Sequence, residues 1–119
     1  MRCITTYFTS IMEIDIQDYH GYKFISIKGQ ISHLKDSISL KSLVNAYLED
    51  GQYKIALGLK ELEYIDSAAL NVLIYTKSQV QKMNGSFYLV EPNDYVMDVI
   101  SVVGLDEVFK ILPDKERLR

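Results

Sequence analysis

The order of apolar segments predicts a single α/β domain with a mixed, mostly parallel central sheet and helices packed on it, in the order β-β-α-β-α-β-α-β. Two observations carry this. Short apolar or β-branched runs alternate with longer segments whose apolar residues recur at helical spacing, and strands that alternate with helices imply crossovers and parallel pairing. The chain has 119 residues, enough for one domain and short for two, and one core can bury roughly 65% of its unfolded surface.

Met12 to Ile16 alternates, with Ile14 and Ile16 on one face, and reads as a short strand. His20-Gly21 marks a turn, and Tyr22 to Lys28, rich in aromatic and β-branched residues, reads as its hairpin partner, ended by Gly29. From Lys35 to Glu49 the residues Ile38, Leu40, Leu43, Val44, Tyr47 and Leu48 follow a helical period, with Asp36 or Ser37 as cap and Gly51 just past the end. Lys54 to Leu59 is continuously apolar after its first residue, the pattern of a strand covered on both faces. Lys60 to Ile65 reads as a loop. A second helix spans about Ser67 to Met83, with Leu70, Leu73, Ile74, Val80 and Met83 inward and Asn84-Gly85 as its stop. Phe87 to Val90 is another buried strand, and Pro92-Asn93 opens a third helix that carries Val96, Met97, Ile100 and Val103 to Gly104. Val108 to Leu112 closes the sheet, so the domain spans 12–112. Residues 113–119 form a charged tail, either solvated or a one-turn helix.

Met1 to Ile11 carries a single Arg and no long apolar run. It makes a poor signal peptide and reads as a flexible or loosely paired extension, such as an upstream start codon would add. Its exposed backbone is a place where a second chain could add to the sheet, so the expected state is a monomer or weak homodimer. The only cysteine, Cys3, excludes an internal disulfide and fits a reducing, cytoplasmic setting. No run of about 18 apolar residues occurs, which excludes a spanning helix and direct membrane insertion. Charged residues are 24% of the chain with net charge -3. That balance lacks the clustered basic face that nucleic acid requires.

The chemistry of most enzymes is missing. Neither G-x-G-x-x-G nor G-x-x-x-x-G-K-[ST] occurs, so no nucleotide cofactor is expected. His20 and His33 lack metal-ligand spacing and have no cysteine pair to help them. No acidic pair follows the first strand, and Lys54 to Leu59 ends without a carboxylate, which argues against a receiver-type phosphoacceptor. No histidine base is delivered to Ser67. The chain reads as a non-enzyme. Of its 9 tyrosines, Tyr64 and Tyr75, flanking the start and outer face of the second helix, are candidates for an interface.

The informative segment is Leu59 to Leu73, LKELEYIDSAALNVL. A buried strand gives way to a short connection, and Asp66-Ser67 opens a helix. Asp66 is a favourable N-cap. Ser67 then lies in the first turn, where its hydroxyl need not enter the core, and the small Ala68 and Ala69 leave the backbone open to approach. An Asp-Ser pair at a helix start is in most proteins only a cap, so the pair alone carries no function.

The segment resembles the signature of STAS domains, the fold of anti-sigma factor antagonists and of the cytoplasmic ends of sulphate transporters. The family pattern is a hydrophobic strand, a connection, then (F/Y)-(I/M)-D-S-(S/A)-G-(L/I). Here Tyr64, Ile65, Asp66, Ser67, Ala68 and Leu70 supply it. The resemblance runs from Met12 to Leu112 and includes the turn Gly29-Gln30-Ile31, Asn84-Gly85 and Gly104-Leu105. Where the family usually has Gly this chain has Ala69, and Asn71 replaces another frequent Gly; both enlarge a surface that normally allows close approach. Ser32 replaces a common acidic residue and Gly58 a usual Asp or Asn, removing polar groups expected near the serine.

The resemblance implies an anti-sigma factor antagonist, phosphorylated at Ser67 by a partner that is both anti-sigma factor and serine kinase. The unphosphorylated form binds that partner and a serine phosphatase resets the switch. It implies a partner-binding surface of Gln30, Ser32, Tyr64, Asp66, Ser67, Ala68, Ala69 and Asn71, with no metal or cofactor of its own. The rival reading is a STAS subunit of a transport or signalling complex that never uses Ser67 as a phosphoacceptor.

Overall fold

The computed structural model describes residues 4–8 and 12–119. Within the expected extension, Ile4–Phe8 forms a strand, β1, while Cys3 and the rest of that segment lie outside the described residues. β2 (Met12–Tyr19) and β3 (Tyr22–Ile31) form the hairpin, with His20 and Gly21 as its two-residue turn and β1 added antiparallel to the outer edge of β2. Helix α1 (Leu34–Glu49) leads to β4 (Lys54–Gly58), then β5 (Leu62–Ile65), α2 (Ser67–Lys82), β6 (Ser86–Val90), α3 (Asp94–Val102) and β7 (Lys110–Leu112). The sheet order is β1-β2-β3-β4-β6-β7, with β5 on β3. The pairs β3-β4, β3-β5, β4-β6 and β6-β7 are parallel. The fold is thus the mixed, mostly parallel α/β domain that the patterning predicts.

The helices cover one face. Leu40 and Val44 of α1, Ala69, Leu70, Leu73 and Val80 of α2, and Val96 and Ile100 of α3 share one core with Ile14, Ile25, Ile27, Ile55, Leu57 and Leu89. The alternate strand positions Tyr22, Phe24, Ala56 and Val90 form a smaller apolar cluster on the other face, closed by Leu118. The tail is therefore not a solvated end. It makes one 3₁₀ turn (Lys115–Arg117), and Leu118 is fully buried. The Lys115 ammonium lies 5.0 Å from the Tyr19 ring centre and 5.8 Å from that of Phe24, so its aliphatic stem helps cover that face. Burial pushes the Tyr22 phenol above its ordinary pKa, and the hydroxyl approaches the Arg119 carbonyl at 3.4 Å.

Three local expectations change. The segment Lys60 to Ile65 is not all loop: Leu62–Ile65 is a strand, buried at its two ends and exposed at Glu63 and Tyr64. It exists because β3 outlasts β4. Their register ends at Ser26↔Gly58, and β5 takes over at Gly29↔Leu62, with a register shift between Gly29 and Gln30; the Gly29 φ of +85° suits glycine. Next, α1 is capped by neither Asp36 nor Ser37. The cap position is His33, without a side-chain bond, and the two expected caps fall on the buried side of the first turn, where both Asp36 carboxylate oxygens and Ser37 Oγ lack hydrogen-bond partners. The short link from the end of β3 starts the helix before them. Finally, Ile74 and Met83, expected inward, are both exposed; Met83 is the C-cap of α2 and lies past its inner face.

Candidate functional site at the start of the second helix

The chain leaves β4 at Gly58, bends through Leu59–Glu61 and returns beside the end of β3 as β5. Several bonds fix where β5 stops. The Asp66 N–H donates to the Ile31 carbonyl at 3.1 Å, and the Ile65 N–H donates to the Tyr95 hydroxyl at 3.1 Å. Asn93 Nδ2 donates to the carbonyls of Lys60 (3.0 Å) and Leu62 (2.7 Å), while its Oδ1 accepts from the Val96 N–H and caps α3. Asn93 and Tyr95 thus lock the approach to α2 onto α3. Sequence reading took Asn93 only as a helix start and missed its second role, for which the only signal was the polar side chain after Pro92.

Asp66 is the N-cap of α2. Its backbone is extended, and Oδ1 accepts from the Ala69 N–H at 2.9 Å. This satisfies one of the amides that a helix start leaves unpaired. Ser67 is the first helical residue and is exposed. Around it, Gln30 is in register with Tyr64, and Ile31 with Ile65, so Ser32 follows directly beside Asp66. Gln30, Tyr64 and Asn71 are exposed, and Ser32, Asp66 and Ala68 half-buried. Seven of the eight residues implied by the resemblance therefore gather at one end of the sheet.

Ala69 does not join them at the surface. Its side chain is fully buried in the core. Relative to glycine, its methyl group fills space behind the helix and leaves the approach to Ser67 unchanged, contrary to the expected enlargement. Gly58 is also placed elsewhere. It lies with Phe24, Ser26 and Val90 along a cleft of about 210 Å³ that none of the Ser67 group lines. A Cβ at Gly58 would stand 2.8 Å from Phe24 Cζ and 3.1 Å from Ser26 Oγ, so the phenyl ring occupies the space that a larger side chain needs.

Of the acidic residues near the helix start, Glu61 pairs with Lys28 at 3.4 Å, holding that ammonium above its ordinary pKa, while Glu63 is exposed. Among the described residues no group of three His, Cys, Asp or Glu side chains is placed to hold a metal, and no helix is long and apolar enough to cross a membrane. Tyr75, the other tyrosine singled out as an interface candidate, donates from its hydroxyl to Asn45 Oδ1 at 2.6 Å and so ties α2 to α1.

Similarity to known proteins agrees with this architecture. A Thermotoga neapolitana protein provisionally named an anti-sigma factor antagonist is 38% identical over 71 residues, 60% of this chain and 63% of that protein. The match thus spans just under two thirds of that relative's length. The Bacillus subtilis anti-sigma-B factor antagonist is 23% identical over 105 residues, 88% of this chain and 94% of that one. A solved structure from Thermotoga maritima, also provisionally named an anti-sigma factor antagonist, superposes with a TM-score of 0.73 at 26% identity, covering 85% of this chain and 86% of that one. The STAS domain profile matches residues 13–117; with the sheet order and the capped helix start described above, the chain belongs to the STAS domain family.

Proposed function

We propose that this chain is a cytoplasmic anti-sigma factor antagonist switched by phosphorylation of Ser67. Unphosphorylated, it binds an anti-sigma factor that is also a serine kinase; phosphorylated, it is released, and a serine phosphatase restores it. The observation that carries this reading is the exposed Ser67 side chain at the first position of a capped 16-residue helix. The names of the relatives described above support the antagonist role.

The electrostatics suit it. A phosphoryl group adds about 1.5 to 2 negative charges and three acceptor oxygens. At a helix N-terminus the free amides and the dipole favour that charge, so the domain stays folded. The cost falls on the complex, where a desolvated dianion would lie beside Asp66 with Glu63 on the preceding strand. A hundredfold loss of affinity needs about 2.8 kcal/mol, less than an unpaired buried charge costs. Ser67 is then a substrate hydroxyl, and the kinase brings the nucleotide, the metal and the base.

The test is incubation with a kinase-type anti-sigma factor, magnesium and ATP, read by mass spectrometry and by binding affinity. Phosphate is expected on Ser67, none in Ser67→Ala, and at least about 100-fold weaker binding in Ser67→Glu. Binding of Ser67→Glu equal to that of the unmodified chain, with no phosphate on Ser67, overturns the switch and leaves a constitutive binding module.

A further inference from the structure

Among the described residues β5 has a strand neighbour on one edge only, β3. β4 ends at Gly58, before β5 begins at Leu62. The other edge of β5 lies against α3, and two side chains from the start of that helix take the place of a strand. Asn93 Nδ2 donates to the carbonyls of Lys60 and Leu62, at 3.0 and 2.7 Å, and the Tyr95 hydroxyl accepts from the Ile65 N–H at 3.1 Å. Just before them, Glu91 pairs with Lys60 at 3.7 Å.

These bonds run up to the serine. Ile65 is held by α3, and the next residue, Asp66, is held by β3 through its N–H on the Ile31 carbonyl. Ser67 follows as the first residue of α2. Ile65 is buried, and Asn93 and Tyr95 are half-buried, which limits how well water replaces a lost partner. A neighbouring strand would hold β5 by repeated backbone bonds. Here the hold on this edge depends on side chains, and single substitutions dissect it. Tyr95→Phe removes one oxygen. Asn93→Ser removes the Nδ2 donor and keeps a side-chain oxygen able to cap α3, as Asn93 Oδ1 does for the Val96 N–H.

We propose that Asn93 and Tyr95 are positioning residues for phosphoryl transfer to Ser67, acting through β5 to fix where the hydroxyl stands in the complex. The proposal rests on the reading of Ser67 above and deepens it. In the transfer, Ser67 Oγ bonds to the γ-phosphorus of ATP as the bond to the bridging oxygen breaks. ADP leaves, and the hydroxyl proton passes to the base of the kinase. The attacking oxygen must lie in line with the breaking bond, and a misplacement of about 1 Å costs on the order of 100-fold in rate. Docking spreads over the surface around Ser67 and tolerates the same shift better. Loss of the hold therefore lowers the rate of transfer more than the affinity.

The test uses the full chain with magnesium, ATP and the kinase-type anti-sigma factor in excess, and follows single-turnover phosphorylation of Ser67 over a series of kinase concentrations. Tyr95→Phe and Asn93→Ser are each expected to lower the saturating rate at least about tenfold and to leave the half-saturating kinase concentration within about twofold. Leu118→Ala, which empties a buried site on the opposite face of the sheet, is the control for lost stability. At a temperature where circular dichroism shows every variant folded, it should change neither quantity. Amide hydrogen exchange on the free chains gives a second reading. The amides of Asp66 and Ala69 keep their own partners, yet should exchange faster in Tyr95→Phe and Asn93→Ser than in Leu118→Ala. Exchange no faster at either amide overturns the hold. Phosphorylation of Ser67 at the unmodified rate in both variants overturns the positioning role and spares the switch. An equal fall in Leu118→Ala, or a fall in affinity at unchanged saturating rate, overturns it as well. An unmodified chain that gains no phosphate on Ser67 overturns both the switch and the proposal.

Discussion

Replacing Asp66 by Ala removes one hydrogen bond, from the Ala69 N–H to Asp66 Oδ1 at 2.9 Å. It leaves that amide unpaired at the start of a helix whose inner face is in the core. Caps of this kind contribute about 1 kcal/mol, with a range of roughly 0.5 to 2. The half-buried position of Asp66 limits how well water can replace the carboxylate and points to the upper half of that range. For a chain of this length the unfolding entropy is about 250 cal/mol/K, so a loss of about 1.5 kcal/mol lowers Tm by about 6 °C. Asp66→Asn keeps an acceptor in the same place and should melt within about 1 °C of the unmodified chain. Ser67→Ala changes an exposed side chain and should do the same. Thermal melts followed by far-UV circular dichroism, with urea titrations at fixed temperature, separate these cases. If Asp66→Ala melts like the unmodified chain, or if Asp66→Asn loses as much as Asp66→Ala, the cap is not what holds the start of α2. The rigid presentation of Ser67 then needs another explanation.

Gly58→Ala drives a Cβ to within 2.8 Å of Phe24 Cζ, which should cost about 1 to 3 kcal/mol; adding Phe24→Leu should recover part of that loss, so a double-mutant cycle in urea with no coupling would refute the clash. Leu118→Ala empties a fully buried site on the sheet face opposite the helices and should cost about 2 kcal/mol, the low end for a core leucine because a terminal segment relaxes easily; a Tm unchanged within error would show that the tail does not seal that face.

The fold class and the order of its main elements were legible because they rest on periodicity. Ile14 and Ile16, and the spacing of Leu70, Leu73 and Val80, each report one face of one element, and the run from Ile55 to Leu59 reports a strand covered on both. The cap at Asp66 was legible for a similar reason: it links residues three apart, and the geometry of a helix start is the same in every protein. That position leaves the Ser67 hydroxyl free to avoid the core, and the structure places Ser67 at the surface.

Features that depend on distant pairings were not legible. The strand Leu62–Ile65 has only four residues, two of them exposed, and forms because β3 continues past the end of β4. Ala69 looked like part of the open surface, but the rotation of α2 on the sheet turns its methyl group into the core. The tail left a solvated end and a one-turn helix both open; the turn forms, and an apolar cluster around Phe24 accepts Leu118.

Sequence alone thus determined the class of domain, the alternation of its elements and the capped serine, since each follows from interactions within about four residues along the chain. The packing of distant segments settled the rest: the hold of Asn93 and Tyr95 on the strand before Ser67, and the ring that excludes a side chain at Gly58. Such contacts join residues about 30 or more positions apart, as from Asn93 to Leu62 and from Tyr95 to Ile65, and local pattern carries no record of which distant atoms will fill or vacate a given space.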